Sequence, residues 1–317
     1  MAGKTLLQGK LLEVTYPERE IPLTREKRPA YTSWAYVVDH GSGPAVVILS
    51  GPATASFDWQ DVVYKLADSH RVIVIDRPGS GFARRAPEGG PSYLYDEADV
   101  VRQVMERQGV DSATLVGHGM GCLVAEAFAR ITPDLVEKLV LVEPRVEVAG
   151  EPREKRVERM RAQNVPLPGL LETFLRIQRE WLMSSKLWAK FLVFVQNRAK
   201  KTPLRTLNPA EERALMNTIY NRDYILRGIL REYDSEQKWL MEIKKLQADS
   251  PLVAPTTVIG AEPKKEIWGT GWIDALDHYV QKLEADAPAN LVRIKGQHML
   301  MRDKPGKLAK AITGSQN

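Results

Sequence analysis

The sequence predicts an α/β fold in which a mostly parallel central sheet carries helices on both faces and one strand-to-strand connection is expanded into a helical insertion. Three observations predict it. Short, continuous runs of β-branched and aliphatic residues recur without polar alternation, as strands buried on both faces require. Stretches with helical periodicity separate them, the rhythm of crossover connections in a parallel sheet. Between Gly150 and Ser250 that rhythm stops for about 100 residues and then resumes after Pro251 and Pro255. The resumed strands need the earlier sheet to pair with, so the expected organisation is a core of residues 1–149 and 251–317 with a helical cap at 150–250.

The elements follow in order. Leu11–Tyr16 and Ser33–Val38 read as antiparallel edge strands that precede the parallel set. Ala45–Leu49 and Arg71–Ile75 are apolar runs of strand length, and Ala113–Val116, Lys138–Val142, Thr256–Ile259 and Leu291–Ile294 read the same way. Helices are expected at Asp58–Ala67, Tyr93–Gln108, Met120–Ile131, Trp272–Ala285 and Lys304–Ile312.

Composition narrows the function. The chain has 317 residues, 45 Lys+Arg against 40 Asp+Glu, and 44% hydrophobic residues, which is globular rather than disordered usage. One cysteine, Cys122, excludes an intramolecular disulfide framework and a cysteine-cluster zinc site. No His-x-x-x-His pair or dinucleotide fingerprint occurs, so no metal and no cofactor is expected. Despite the net charge of +5, no nucleic-acid-binding motif is present. The first residues lack the apolar stretch of a signal peptide, and no window reaches the length of a membrane span. The expected compartment is cytoplasmic, with a peripheral membrane association left open by the cap.

The most informative segment is Leu115-Val116-Gly117-His118-Gly119-Met120-Gly121-Cys122, between a predicted strand and a predicted helix. Glycines two residues before and after Gly119 permit a sharp strand-to-helix turn. This segment resembles the nucleophile elbow of the α/β-hydrolase superfamily, Gly-x-Ser-x-Gly. Three further segments carry the resemblance along most of the chain. Ser50-Gly51 with Asp58-Trp59 is similar to the family's oxyanion loop. Asp76-Arg77-Pro78-Gly79-Ser80-Gly81 is similar to its Asp-x-Pro-Gly-x-Gly turn, and Gly296-Gln297-His298 to its catalytic-histidine loop. The resemblance implies an α/β-hydrolase fold with a cap over the site. It also implies pocket roles for Ser50, Gly51, His118 and the Met120 backbone N–H.

The departures bear most on function. Gly119 stands where the resemblance places the nucleophile, and without a side chain the acyl-enzyme route is closed. Pro52 follows Ser50-Gly51 at the residue whose backbone N–H would complete the oxyanion hole, and proline has none. Losing one such donor costs about 10²–10³ in rate. Two defects at separate places favour natural divergence over an engineered knock-out. His298 is the surviving group, able to act as a general base on water or substrate. Its expected acid partner is Glu262, after the strand that follows the cap, with Glu143 the alternative. Cys122 is expected to be buried and inert.

From Glu151 to Arg205 there are 13 Lys/Arg and 5 Asp/Glu, so the cap is strongly basic. Within it, Trp181–Val195 is apolar and aromatic. On a helix Trp181, Trp188, Leu192 and Val195 share one face, with Lys186 and Lys190 on another. Such a helix either closes the pocket over an apolar or acyl-type ligand, or meets an anionic membrane or an acidic protein. The sequence therefore favours a hydrolase-like protein that binds a ligand or partner without serine-type hydrolysis. Two alternatives stand beside it: an ester-, lactone- or acyl-cleaving hydrolase or lyase with His298 as base, and a membrane-surface interaction protein.

Overall fold

The computed structural model describes residues 5–20, 27–87, 92–146, 203–262 and 271–314. A central eight-stranded sheet is built from β1 (Gly9–Tyr16), β4 (Tyr31–His40), β5 (Ala45–Leu49), β6 (Arg71–Asp76), β7 (Ala113–His118), β8 (Val136–Val142), β9 (Thr256–Glu262) and β10 (Ala289–Lys295). Its order is β1-β4-β6-β5-β7-β8-β9-β10, and a separate two-stranded ribbon pairs β2 (Arg19–Glu20) with β3 (Lys27–Arg28). From β6 to β10 every pairing is parallel, whereas β4 is antiparallel to both β1 and β6. The predicted edge pair is thus only half an edge: β1 is terminal, and β4 lies inside the sheet. The hydrophobic pattern explains the difference, because Ala35, Val37 and Val38 are buried while much of β1 faces solvent.

Period-two alternation divides the strands between two apolar layers. Val47, Leu49, Ile73, Ile75 and Leu115 pack with α2 (Leu94–Arg107), α3 (Gly121–Ile131) and α6 (Gly271–Glu284). Val46, Ile48, Val72, Val74 and Val116 pack on the other face with α1 (Gln60–Leu66) and α8 (Pro305–Thr313). Two predicted helices are broken in specific ways. Ser56–Trp59 is a 3₁₀ turn ahead of α1, with the Asp58 carboxylate accepting from Ala55 N–H at 2.9 Å. The last helix is preceded by a short α7 (Leu300–Asp303), and Lys304 leaves helical geometry because it precedes Pro305.

Two further helices lie within the predicted cap: α4 (Pro209–Tyr220) and the long α5 (Asp223–Asp249). Asn208 starts α4 with a capping box: its side chain accepts from Ala210 and Glu211 N–H, and the Glu211 carboxylate accepts from Asn208 N–H. Met216, Ile219, Tyr220, Ile225 and Ile229 form a third apolar cluster with Ala53, Ala55 and Phe57. Buried ion pairs join these helices to the core. Arg302 of α7 bonds Asp58 at 2.6 Å and also Glu212 of α4. Arg77 bonds Glu97 at 2.6 Å and Glu232 of α5 at 2.5 Å. Sequence reading singled out neither arginine for this role. The basic aromatic stretch 181–195 lies outside the described residues, and among the described ones no helix is long and apolar enough to cross a membrane.

Candidate active site

The site forms where β5, β7, β8 and β10 end, the edge at which open parallel sheets collect their functional loops. At the end of β7 the chain turns sharply into α3. Gly117 and Gly121 permit the turn by close approach: a Cβ on Gly117 would stand 2.6 Å from Cys122 Cα, and one on Gly121 2.5 Å from the Leu49 carbonyl. Gly119, at the apex, has φ +57°. Its N–H donates to the Val142 carbonyl at 3.0 Å, and its carbonyl accepts from Cys122 N–H at 3.2 Å. A Cβ added there would meet nothing within 4 Å. The apex of this strand-to-helix turn therefore has open space where a side chain would project.

The loop after β5 lies directly against this turn. A Cβ on Gly51 would come within 2.9 Å of the His118 carbonyl and 3.2 Å of Met120 N. Met120 is the N-cap of α3, where backbone donors lack intrahelical partners, and its N lies beside Gly51. Pro52, next after Gly51, has no N–H to contribute. The Ser50 hydroxyl accepts from the indole N–H of buried Trp59 at 2.8 Å, which ties it to the loop's framework.

His298 sits between β10 and α7. Its Nδ1 donates to Glu143 Oε2 at 3.0 Å, which leaves Nε2 as the proton acceptor. The imidazole keeps 19% of its side-chain surface exposed, against 2% for Glu143. Glu143 is held on three sides: its other carboxylate oxygen accepts from Ala261 N–H at 2.5 Å, and its own N–H donates to the Ile259 carbonyl at 2.8 Å. Its φ is +53°, a left-handed conformation that a glutamate adopts only when its surroundings impose it. The carboxylate that meets His298 is Glu143, named above as the alternative to Glu262. Glu262 closes β9, where its backbone carbonyl accepts from Gly296 N–H at 3.0 Å and anchors the start of the histidine loop.

His118 is the second imidazole of the site. It is 2% exposed, its ring centre is 4.8 Å from that of His298, and its Nε2 donates to the His298 carbonyl at 3.3 Å. Burial, and secondarily the neighbouring His298, push its pKa down to about 3. His118 is therefore held neutral, and its Nε2–H holds the His298 carbonyl. Cys122 is buried, its Sγ–H donates to the Val142 carbonyl at 3.3 Å, and burial raises its pKa well above the usual thiol value, so it is inert.

The depressed His118 pKa makes stability pH-dependent. The unfolded histidine binds a proton below its ordinary pKa and the folded one does not, so stability falls as pH drops from about 6.5 toward 3. Between pH 6.5 and 5 this amounts to about 2 kcal/mol. Buried Asp76 works in the opposite sense. Burial raises its pKa to about 6 despite hydrogen bonds from Phe82 N–H and from the Ser56 hydroxyl and N–H, so its contribution to stability increases as pH falls from 6 toward the ordinary carboxylate value. The His118 part is isolated by difference: the loss of thermal stability from pH 7 to pH 5 is expected to be smaller in His118→Gln than in the native protein. Equal losses would show that His118 is not the titrating group.

The site thus brings together a hydrogen-bonded His298–Glu143 pair and the turn at Gly119, whose apex has open space. Among the described residues no group of three or more His, Cys, Asp or Glu is arranged to hold a metal ion.

Known proteins place this geometry in context. The chain is 25% identical over 287 residues to epoxide hydrolase 1 of Caenorhabditis elegans, covering 83% of this chain and 62% of that protein. It is 32% identical over 108 residues to a soluble epoxide hydrolase of a Corynebacterium species, covering 34% of this chain and 37% of the relative. The chain thus spans less than two thirds of the length of these curated relatives. Among solved structures, Cfl2 from Burkholderia cenocepacia superposes with a TM-score of 0.66 at 21% identity, over 94% of this chain and 99% of that one, a likeness of fold. The profile of the alpha/beta hydrolase fold family matches residues 44–305, and the chain belongs to that family.

Proposed function

We propose that the protein is a general-base catalyst of water addition to an ester, lactone or related electrophile, working without an enzyme-bound intermediate. The observation that carries this reading is the His298–Glu143 pair. A glutamate fixed at φ +53°, with one carboxylate oxygen on a backbone N–H and the other on an imidazole, is a costly arrangement. It orients an imidazole and stabilises its protonated form, the work of a base. The open space at Gly119 leaves room for a water where a serine hydroxyl would otherwise project. His298 Nε2 takes a proton from that water as it attacks, and Met120 N–H supports the oxygen that gains charge. The likeness to epoxide hydrolases supports a water-adding reaction and extends the substrate classes to strained ethers.

Pro52 favours a second reading, a ligand- or partner-binding protein that performs no turnover, because it leaves the oxyanion site with one backbone donor fewer. A panel of acyl esters, lactones and epoxides of increasing chain length, run in ¹⁸O-water with intact-protein mass recorded during turnover, separates the two. General-base hydrolysis gives labelled product and an unchanged protein mass. No turnover across the panel supports the binding reading, and an acyl or alkyl adduct on the protein overturns the proposed mechanism.

A further inference from the structure

Tyr93, just ahead of α2, gathers three cationic side chains around one ring. The guanidinium carbons of Arg19 in β2 and Arg28 in β3 lie 5.5 and 5.9 Å from its centre, and Lys238 Nζ of α5 lies 2.8 Å from it. The arginines are closely paired. Asp96 Oδ1 accepts from Arg19 Nε and Nη2 at 2.9 and 2.7 Å, and its Oδ2 accepts from Arg28 Nη2 at 2.7 Å. Both oxygens of this buried carboxylate are thereby engaged. Glu242 of α5 is the other carboxylate here. Its Oε2 accepts from Leu94 N–H at 2.7 Å, and its Oε1 stays 4.0 Å from Lys238 Nζ. Among the described residues, Lys238 thus has one carboxylate at the limit of ion-pair distance and shares its ring with two guanidinium groups. Its side chain is 23% exposed, so reagents in water reach it.

This arrangement disfavours the charged amine. Packing against the ring strips water from Nζ, and Arg28 and Arg19 oppose a third positive charge, while Glu242 and Asp96 pull the other way. Burial is the largest of these effects, and the Lys238 pKa falls to about 8. At pH 7.5 roughly a quarter of such an amine is uncharged, against about 0.1% of an ordinary lysine. We propose that Lys238 is a site of N-acylation, reacting with activated acyl donors (acyl phosphates or acyl thioesters) ahead of the exposed lysines. The neutral nitrogen attacks the acyl carbonyl carbon. An N–C bond forms, the C–O or C–S bond breaks, phosphate or thiolate departs with the bonding pair, and the nitrogen's proton passes to solvent. The amide product is uncharged, so the step leaves two cations on the Tyr93 ring, where α5 meets the start of α2. Nothing in it depends on the chemistry proposed for His298.

Site-resolved acetylation tests this on the full chain. Acetyl phosphate and acetyl-coenzyme A are used in separate arms across a range of pH, and peptide mass spectrometry gives the initial rate at each lysine. At pH 7.5 Lys238 is expected to react at least about tenfold faster than exposed Lys10, Lys65 and Lys307, because its larger uncharged fraction outweighs its lower basicity. Its rate is expected to level off above a pH of about 8. Selective reaction with either donor supports the proposal, and the arm in which it occurs identifies the donor class. Two variants, with melting curves as a control for folding, test the cause. Tyr93→Ala returns water to Nζ, and Arg19→Gln removes one cation from a partly exposed position. Each is expected to move the inflection upward, and Tyr93→Ala to cut the selectivity by about threefold or more. Lys238 rates no greater than those of the reference lysines in both arms, an inflection above about 9.5 in the native protein, or a selectivity unchanged in both folded variants would overturn the proposal.

Discussion

Replacement of His298 by alanine is expected to lower kcat/KM on the best substrate of the panel by about 10²–10⁴ and to leave the fold intact. The magnitude follows from the role. If water is the nucleophile, the His298 imidazole is the described group at the site that a carboxylate orients, so its removal forfeits the general-base contribution. The fold is spared because His298 occupies a partly exposed loop whose backbone is fixed separately. Its carbonyl accepts from His118, and Gln297 N–H donates to the Asp303 carboxylate at 3.0 Å. A small azole added to the alanine variant is expected to restore part of the rate by filling the vacated position. A variant that retains native rates would remove His298 from the mechanism.

Glu143→Gln is expected to reduce the rate nearly as far, by about 10²–10⁴, whereas Glu262→Gln is expected to leave it within about twofold. An amide in place of the carboxylate still reaches His298 Nδ1, but it no longer offsets the positive charge that the imidazole acquires as it takes the proton. The Ala261 N–H that now donates to Glu143 keeps an acceptor in the amide oxygen, so the site's backbone is preserved. Glu262 acts on the histidine loop only through its main-chain carbonyl, which the substitution does not touch. Measuring kcat and KM for both variants, with melting curves as a control for folding, checks the assignment. A large loss in Glu262→Gln with little change in Glu143→Gln would reverse it.

These two glutamates show what the sequence discloses and what it withholds. The parallel strands were legible because continuous apolar runs leave few alternatives, and the elbow was legible because Gly117, Gly119 and Gly121 stand at fixed spacing between a strand and a helix. The acid was not. Glu143 and Glu262 end adjacent paired strands, both within reach of the loop that carries His298. The choice between them turns on a left-handed backbone at Glu143, which glutamate disfavours and no local pattern announces. Arg302 was hidden for a different reason. It is an ordinary charged residue in its own segment and joins Asp58 and Glu212, far away in the chain, through buried ion pairs. The internal place of β4 likewise depends on pairing with β6, which a strand's own sequence does not specify. His118 was legible as a pocket residue, but its role in fixing the His298 carbonyl depends on contact across 180 residues.

The central claim is that a histidine–glutamate pair faces a strand-to-helix turn whose apex, Gly119, carries no nucleophile. Gly119→Ser tests it most directly, without knowledge of the natural substrate. The added side chain enters open space, at a backbone cost of roughly 1–2 kcal/mol for a non-glycine residue with positive φ. Exposed to a fluorophosphonate probe, the native protein is expected to remain unmodified. The variant is expected to acquire one phosphonyl group on the introduced hydroxyl, and the additional replacement His298→Ala to suppress that labelling by at least about a hundredfold. A folded Gly119→Ser variant that stays unlabelled, or that labels equally well without His298, would contradict the account.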